Sequence, residues 1–386
     1  MKKILALSLA IMIILSFSAC STSNSSKTAT KSDIKIGDLQ DITGATSALG
    51  KMVQAGAQWA VDGINSKGGI NGRKIKLITY DTKGQVQEAI NDFNLLCSSD
   101  KVSAIIGPPI ANIDIAIAPI SDKYNVPVLQ FALDTRANLK ADGKPYKNMF
   151  LLQPSADQQG AIMATYAAKE KGYKKFGIIY NQSNAYSISL VAAFKKTAAD
   201  LPGVSIAAEV PYQATDKDFK TMLGKLTAAH VDAIFAPNYI QELTLITQQA
   251  REIGYNGPLI CGLDAAPPFA SVCGPESNGI VYIDNIEDSD PAIQTIMSDF
   301  KQKTGNDATD KFFLGDDVMN IIAQTIKNVG DDPAAVQKAI ESLNGYKGYT
   351  GTITMNPDNH ETKGLSMFID EIVDQQPQTI KKYSVD

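Results

Sequence analysis

Histidine is almost absent: the 386-residue chain has only His230 and His360, both in polar or helix-end contexts. It contains no Gly-x-Ser-x-Gly elbow, no His-Glu-x-x-His, no Gly-x-x-x-x-Gly-Lys phosphate loop and no cysteine with a plausible base. Catalysis by those routes is therefore excluded. The adjacent acids Asp316-Asp317 and Asp331-Asp332 point in diverging directions and read as solvated helix-start acids, not as a glycosidase pair facing across a cleft. Cysteine is sparse too, with Cys20, Cys97, Cys261 and Cys273 and no spacing for a zinc knuckle. A Cys261 to Cys273 disulfide stays open, whereas Cys97, on an apolar helix face with Phe93 and Leu96, reads as a buried thiol. Basic residues do not outnumber acidic ones, 36 against 41, and no basic patch exists, so nucleic acid is not an expected partner. We expect a non-enzyme with no cofactor and no metal.

The N-terminus carries the one long apolar run. MKKILALSLAIMIILSFSAC has two lysines, an apolar core from Ile4 to Leu15 and small residues ending at Cys20. It is too short for a membrane span and is followed by a polar tract, which marks a secretory signal. SFSAC resembles a bacterial lipoprotein cleavage site, with Phe17 where that pattern usually has Leu. On that reading residues 1–20 are signal and lipobox, and Cys20 is the lipid attachment. The alternative is an ordinary cleaved signal. Residues 21–32 are small and polar and form a tether.

From Ile34 to Asp81 the chain reads apolar run, Gly/Ser/Thr loop, amphipathic helix, Gly-rich turn and a second β-rich run. That is a βαβ unit and predicts a parallel sheet. Gly44 to Gly50 forms a loop at the first strand's carboxyl end, where open α/β sheets bind ligands. Met52, Val53, Ala57, Ala60, Val61 and Ile64 recur at three and four residues, so one helix face is buried, and Gly68-Gly69 stops that helix. The alternation continues to a helix ending near Lys171, and a second series runs from Phe176 to Cys261. Helices are expected near 292–304, 314–329 and 333–344, then paired strands TGTITM and SMFIDEIV. A globular chain of roughly 350 residues exceeds what one core usually serves. The expected architecture is α/β, with two Rossmann-like doubly wound lobes, residues 33–155 with 285–361 and residues 156–284 with 362–386.

Several motifs in order carry a resemblance: Asp62-Gly63-Ile64-Asn65, Gly68-Gly69-Ile70, Gly72, Tyr80-Asp81, Ile106-Gly107-Pro108, Ala118-Pro119, Val126-Pro127, and Pro154-Ser155 with Asp157, Gln159 and Gly160. The chain from Ile34 to Asp370 resembles type I periplasmic solute-binding proteins of the leucine/isoleucine/valine-binding kind. The resemblance implies two lobes joined by a three-crossover hinge that close on a small-molecule ligand. It also implies an ABC transporter permease as partner, a monomer, and export to the outer face of the bacterial cytoplasmic membrane. A sensor reporting to a receptor is the alternative.

The same resemblance implies the site. The carboxylate-binding positions fall on Ala111 and on Asp134, or on Thr135 with a one-residue shift, and Leu133 is a further ligand-binding position. Ala111 has no donor and a charged Asp134 repels a carboxylate, leaving Asn112, Thr135 or Arg136 to restore the grip. Tyr186 and Tyr239 match pocket aromatics, and Asp264 matches the acid that meets an ammonium. Leu49 stands where an aromatic often covers the ligand, with Ser47 and Ala48 offering backbone groups, and Asp316 replaces a tyrosine near the cleft. Extra carboxylates and lost hydroxyls lead us to expect an amine-bearing ligand, an amino acid or a cationic solute without a conventional carboxylate.

Overall fold

The structure, a computed structural model, describes residues 32–384. The signal, Cys20 and nearly all of the expected tether lie outside the described residues. Among those described, no helix is long and apolar enough to cross a membrane.

The first sheet is built from β1 (Ile34–Gln40), β2 (Ile75–Asp81), β3 (Ile105–Ile106), β4 (Val128–Gln130) and β5 (Met149–Leu151), in the order β2-β1-β3-β4-β5. All its pairings are parallel. Its crossovers are α1 (Ser47–Ser66), α2 (Val86–Leu95) and α3 (Ala111–Ser121). Ile36, Val53, Ala57, Val61, Ile106 and Phe150 meet in one core, as the three-and-four spacing along α1 requires. After α1 the chain turns on Gly69, whose φ is +77° and where a β-carbon would lie 2.0 Å from the Arg73 carbonyl oxygen. No other residue fits there.

α4 (Ala156–Thr165) leads into the second sheet. There follow β6 (Lys175–Asn181), α5 (Ala185–Ala199), β7 (Ser205–Tyr212), α6 (Lys220–Ala228), β8 (Ala233–Phe235), α7 (Ile240–Glu252), β9 (Leu259–Ile260), α8 (Phe269–Cys273) and β10 (Val281–Asp284). The chain then forms α9 (Pro291–Thr304), α10 (Asp310–Val329), α11 (Pro333–Glu341), β11 (Tyr346–Gly348), β12 (Gly351–Met355), β13 (Thr362–Val373) and β14 (Gln376–Ser384). β13 pairs with β12 at its start and with β10 and β14 further along. Leu365 accordingly packs in the first lobe's core while Met367 and Ile369 pack in the second's. The two doubly wound lobes expected from the alternation are present.

Three departures have physical causes. Helices α2 and α4 end in wider π turns, Leu96–Asp100 and Tyr166–Glu170, which the even apolar pattern does not show. α10 begins at Asp310, four residues before the predicted Leu314, because Thr309 to Phe313 are buried and wound although the pattern there is mixed. Cys261 and Cys273 are free, buried thiols and not a disulfide. Both pack among apolar side chains, and nearness in sequence does not make two β-carbon vectors meet.

α10 lies against α1 at two glycines. A β-carbon at Gly56 would sit 1.8 Å from the Phe312 carbonyl oxygen, and one at Gly315 would sit 2.1 Å from that of Val53. This backbone approach fixes α10, and with it the residues of its first turn. Gly56→Ala is therefore expected to destabilise the protein by about 1–3 kcal/mol, as overpacking does, read as a lower denaturant midpoint at unchanged m-value. An unchanged midpoint would show that the helices can separate freely.

Candidate functional site

Parallel strands deliver their loops to one end, and the site is assembled there. Leu49 follows β1 in the first turn of α1, Ala111 follows β3 at the start of α3, and Leu133 follows β4. From the other lobe, Tyr186 follows β6, Tyr239 follows β8 as the residue before α7, and Asp264 follows β9 in a short 3-10 turn. These six line one buried cavity between the lobes with Pro109, Phe131, Ala132, Gln153, Leu263 and Lys311. The lobes are closed on it. Its volume is about 20 Å³, room for about one water.

Asn184 caps α5 by accepting from the Tyr186 N–H at 2.9 Å, which sets the ring's origin. Tyr186 and Tyr239 then stack with centroids 5.2 Å apart and planes 7° from parallel. Gly262 makes room for this pair, since a β-carbon there would lie 2.2 Å from the Tyr186 hydroxyl oxygen. Neither the Tyr186 hydroxyl nor Asp264 Oδ1 has a hydrogen-bond partner among the described residues. Both are buried at the cavity wall, where the Tyr186 hydroxyl faces the Asp264 carboxyl and favours its ionised form.

Two opposite charges face this cavity from opposite lobes. Burial pushes the Asp264 pKa up to about 7, against the downward pull of Lys311. Burial pulls the Lys311 ammonium down, but Asp310, Asp264 and Asp284 outweigh it and hold it above its ordinary value. Lys311 pairs with Asp310, both side chains being nearly inaccessible to solvent. A lysine in the first turn of a helix opposes the helix dipole, so these carboxylates are what keep it there.

Gln153 joins the cavity to the hinge. Its carbonyl accepts from Thr362 Oγ1 at 3.4 Å, and its Oε1 accepts from Asn285 Nδ2 at 3.5 Å. Gln153 thus ties together three segments far apart in the chain.

The remaining sequence candidates lie elsewhere. Asn112 latches the lobes, donating to the Ser183 carbonyl at 3.2 Å and accepting from the Ala185 N–H at 3.0 Å. Asp134 does the same, accepting from Ser189 Oγ at 2.8 Å and pairing with Arg136 at 2.6 Å. Burial pushes its pKa up, but the bonds from Arg136 and Ser189 prevail and hold it below the ordinary value. Asp134 is therefore buried outside the lining of this cavity, with Arg136 bound to it. Thr135 faces a separate groove. Ser47 is half-buried outside the cavity, and Ala48 lines an adjoining groove of about 400 Å³. Asp316 sits beside Gly56, well along α1 from Leu49, on the face of α10 turned from the cavity. Neither it nor Asp317 is a solvated helix-start acid, since both are buried in the second turn of α10. Sequence reading missed Lys311 because it set the helix start too late. It missed Gln153 although that residue immediately precedes the Pro154-Ser155 motif.

A family model described as periplasmic binding protein matches residues 33–375. The chain belongs to that family. It is a solute-binding protein similar to the Leu/Ile/Val-binding protein homolog 3 of Brucella melitensis, with 27% identity over 88% of this chain and 90% of the relative. It is 25% identical to a leucine-, isoleucine-, valine-, threonine- and alanine-binding protein of Pseudomonas aeruginosa, covering 83% of this chain and 85% of that one. A leucine-binding protein of Thermotoga maritima shares the fold with a TM-score of 0.82 at 25% identity, covering 91% of this chain and 99% of its own.

The raised Asp264 pKa has a stability consequence for this binding protein. Between pH 4 and pH 7 the folded state holds a proton at Asp264 that the unfolded chain has lost, so stability falls as pH rises through that window. Asp264→Asn should raise the melting temperature of the unliganded protein at pH 8 and leave it nearly unchanged at pH 4, the gain being about 1–4 kcal/mol. Equal melting curves at pH 8 would contradict the burial of a charged Asp264.

Proposed function

We propose that this protein is the extracytoplasmic solute-binding lipoprotein of an ABC importer, that it captures an aliphatic α-amino acid as its zwitterion, and that it delivers it to the permease. The observation that carries the reading is the placement of Asp264 and Lys311 on one cavity from opposite lobes. The acid meets the ligand's ammonium and the lysine its carboxylate, supplying the grip that Ala111 cannot. Leu49, Phe131, Leu133 and Leu263 meet the side chain. With Asp134 and Asp316 outside the cavity, the surplus of negative charge that pointed to a cationic solute disappears. The names of the relatives support an aliphatic amino acid. Lobe closure over the ligand presents the surface the permease reads, and the hinge runs through Gln153, Asn285 and Thr362. Lipidation at Cys20 ties the protein to the outer face of the cytoplasmic membrane.

Calorimetric titration tests the ligand class. Leucine, isoleucine or valine should bind, whereas 3-methylbutylamine, lacking the carboxylate, and 4-methylpentanoate, lacking the ammonium, should each bind at least about thirtyfold more weakly, as loss of one buried charge partner costs about 2–5 kcal/mol. Lys311→Met should abolish the advantage of leucine over 3-methylbutylamine. Equal affinity for leucine and the amine sinks the zwitterion reading. Because only ionised Asp264 holds an ammonium, affinity should fall about tenfold per pH unit below pH 7. Cys20→Ser should release the protein from the membrane and end its labelling with fatty acid. Retention would remove the anchor.

A further inference from the structure

A second recess, of about 540 Å³, lies on the first lobe and shares no lining residue with the interlobe cavity. α1 contributes Trp59, α10 contributes Asp316 and Asn320, and the β11–β12 hairpin contributes Tyr346 and Tyr349.

The recess is built, not incidental. Asp317 accepts from the Tyr349 N–H at 2.8 Å, from the Thr350 N–H at 2.9 Å and from Thr350 Oγ1 at 2.8 Å, so it pins the hairpin turn to α10. Gly348 permits that contact, because a β-carbon there would come within 2.5 Å of the Asp317 carboxylate. The pinned turn holds Tyr346 and Tyr349 beside Asp316. Trp59 is fixed by edge contacts with Phe300 and Phe312 at 5.9 and 6.2 Å.

Asp316 is the buried acid of this recess that no cation neutralises among the described residues. It is 5% exposed. Its Oδ2 accepts from Asn320 Nδ2 at 2.9 Å, while its other oxygen has no hydrogen bond and no cation pairs with it among the described residues. Burial and the neighbouring Asp317 push its pKa up to about 7. A buried carboxylate with one amide partner and no cation among the described residues, at the wall of an aromatic-lined recess, is a site feature more than a packing one. Trp59 already attracts an ammonium, since Lys303 Nζ lies 4.8 Å from the centre of its ring. Lys347, at the rim, is engaged with Thr352 Oγ1 at 2.7 Å.

We propose that the recess formed by Trp59, Tyr346, Tyr349 and Asp316 is a second binding site, for a small organic ammonium ion. The cation pairs with Asp316 and rests against the aromatic rings, which combine charge pairing with cation–π attraction in a partly dry recess of a size usual for small-molecule sites.

Trp59 is the chain's single tryptophan, so its fluorescence reports this recess alone. Choline chloride should change that fluorescence saturably, against a sodium chloride control. Its uncharged isostere 3,3-dimethylbutan-1-ol should not. Asp316→Asn, which keeps shape and removes charge, should weaken choline at least tenfold with an unchanged far-ultraviolet spectrum. Tyr346→Leu should weaken it also, through loss of a ring with the acid retained. The proposal is overturned by no saturable response, by an equal response to the isostere, by Asp316→Asn binding choline as wild type, or by loss of the response in Asp264→Asn instead.

Discussion

A buried lysine holds the arrangement together. Lys311 stands in the first turn of α10, where the helix dipole opposes it and solvent does not reach it. Removing an ammonium from water carries a penalty of about several kcal/mol, and the surrounding acids must offset it. Asp310 does so from the adjacent position, Asp284 from the end of β10, and Asp264 from the opposite lobe. The charge that makes the cavity wall is thus also an attraction between the lobes. Parting the lobes would weaken that attraction.

Closure is reinforced at the rim by neutral and charged hydrogen bonds. Asn112 reaches Ser183 and Ala185, Asp134 reaches Ser189, and Gln241 Nε2 reaches the Ala45 carbonyl at 3.1 Å. The Asn112–Ser183 and Gln241–Ala45 contacts sit near the surface, where water replaces each of them at little net cost. They set the closed geometry without locking it. Gln153 lies at the other side of the cavity, in the cavity wall and at the meeting of three distant segments, so a ligand that touches it touches the hinge as well. The position of Lys311, in turn, depends on Gly56 and Gly315 letting α1 and α10 approach backbone to backbone.

Local pattern carried much of this. Three-and-four spacing in α1, β-rich runs at each strand and Gly-Gly after the helix are local signals, and each marks an element found in the structure. Tyr186, Tyr239, Asp264, Leu49, Ala111 and Leu133 share one cavity because each follows the carboxyl end of a parallel strand, a position that topology sends to one place. Asn112, Asp134 and Thr135 lie outside the cavity lining because residues one or two places apart at a helix start point in different directions. Sequence position alone could not tell a cavity wall from a latch. Asp316 lines another recess because five residues of helix turn the side chain to another face from Lys311.

The sequence by itself determined the alternation of strands and helices, the two-lobe architecture and the family, because those follow from periodicity and ordered short motifs. The tertiary structure alone decided which charges share a cavity. Lys311 and Asp264 are 47 positions apart on different lobes, and only the packing of α10 on α1 and the closure of the lobes bring them to face one another. Charge pairing acts through space and depends on burial, and neither distance nor burial is written in the order of the residues.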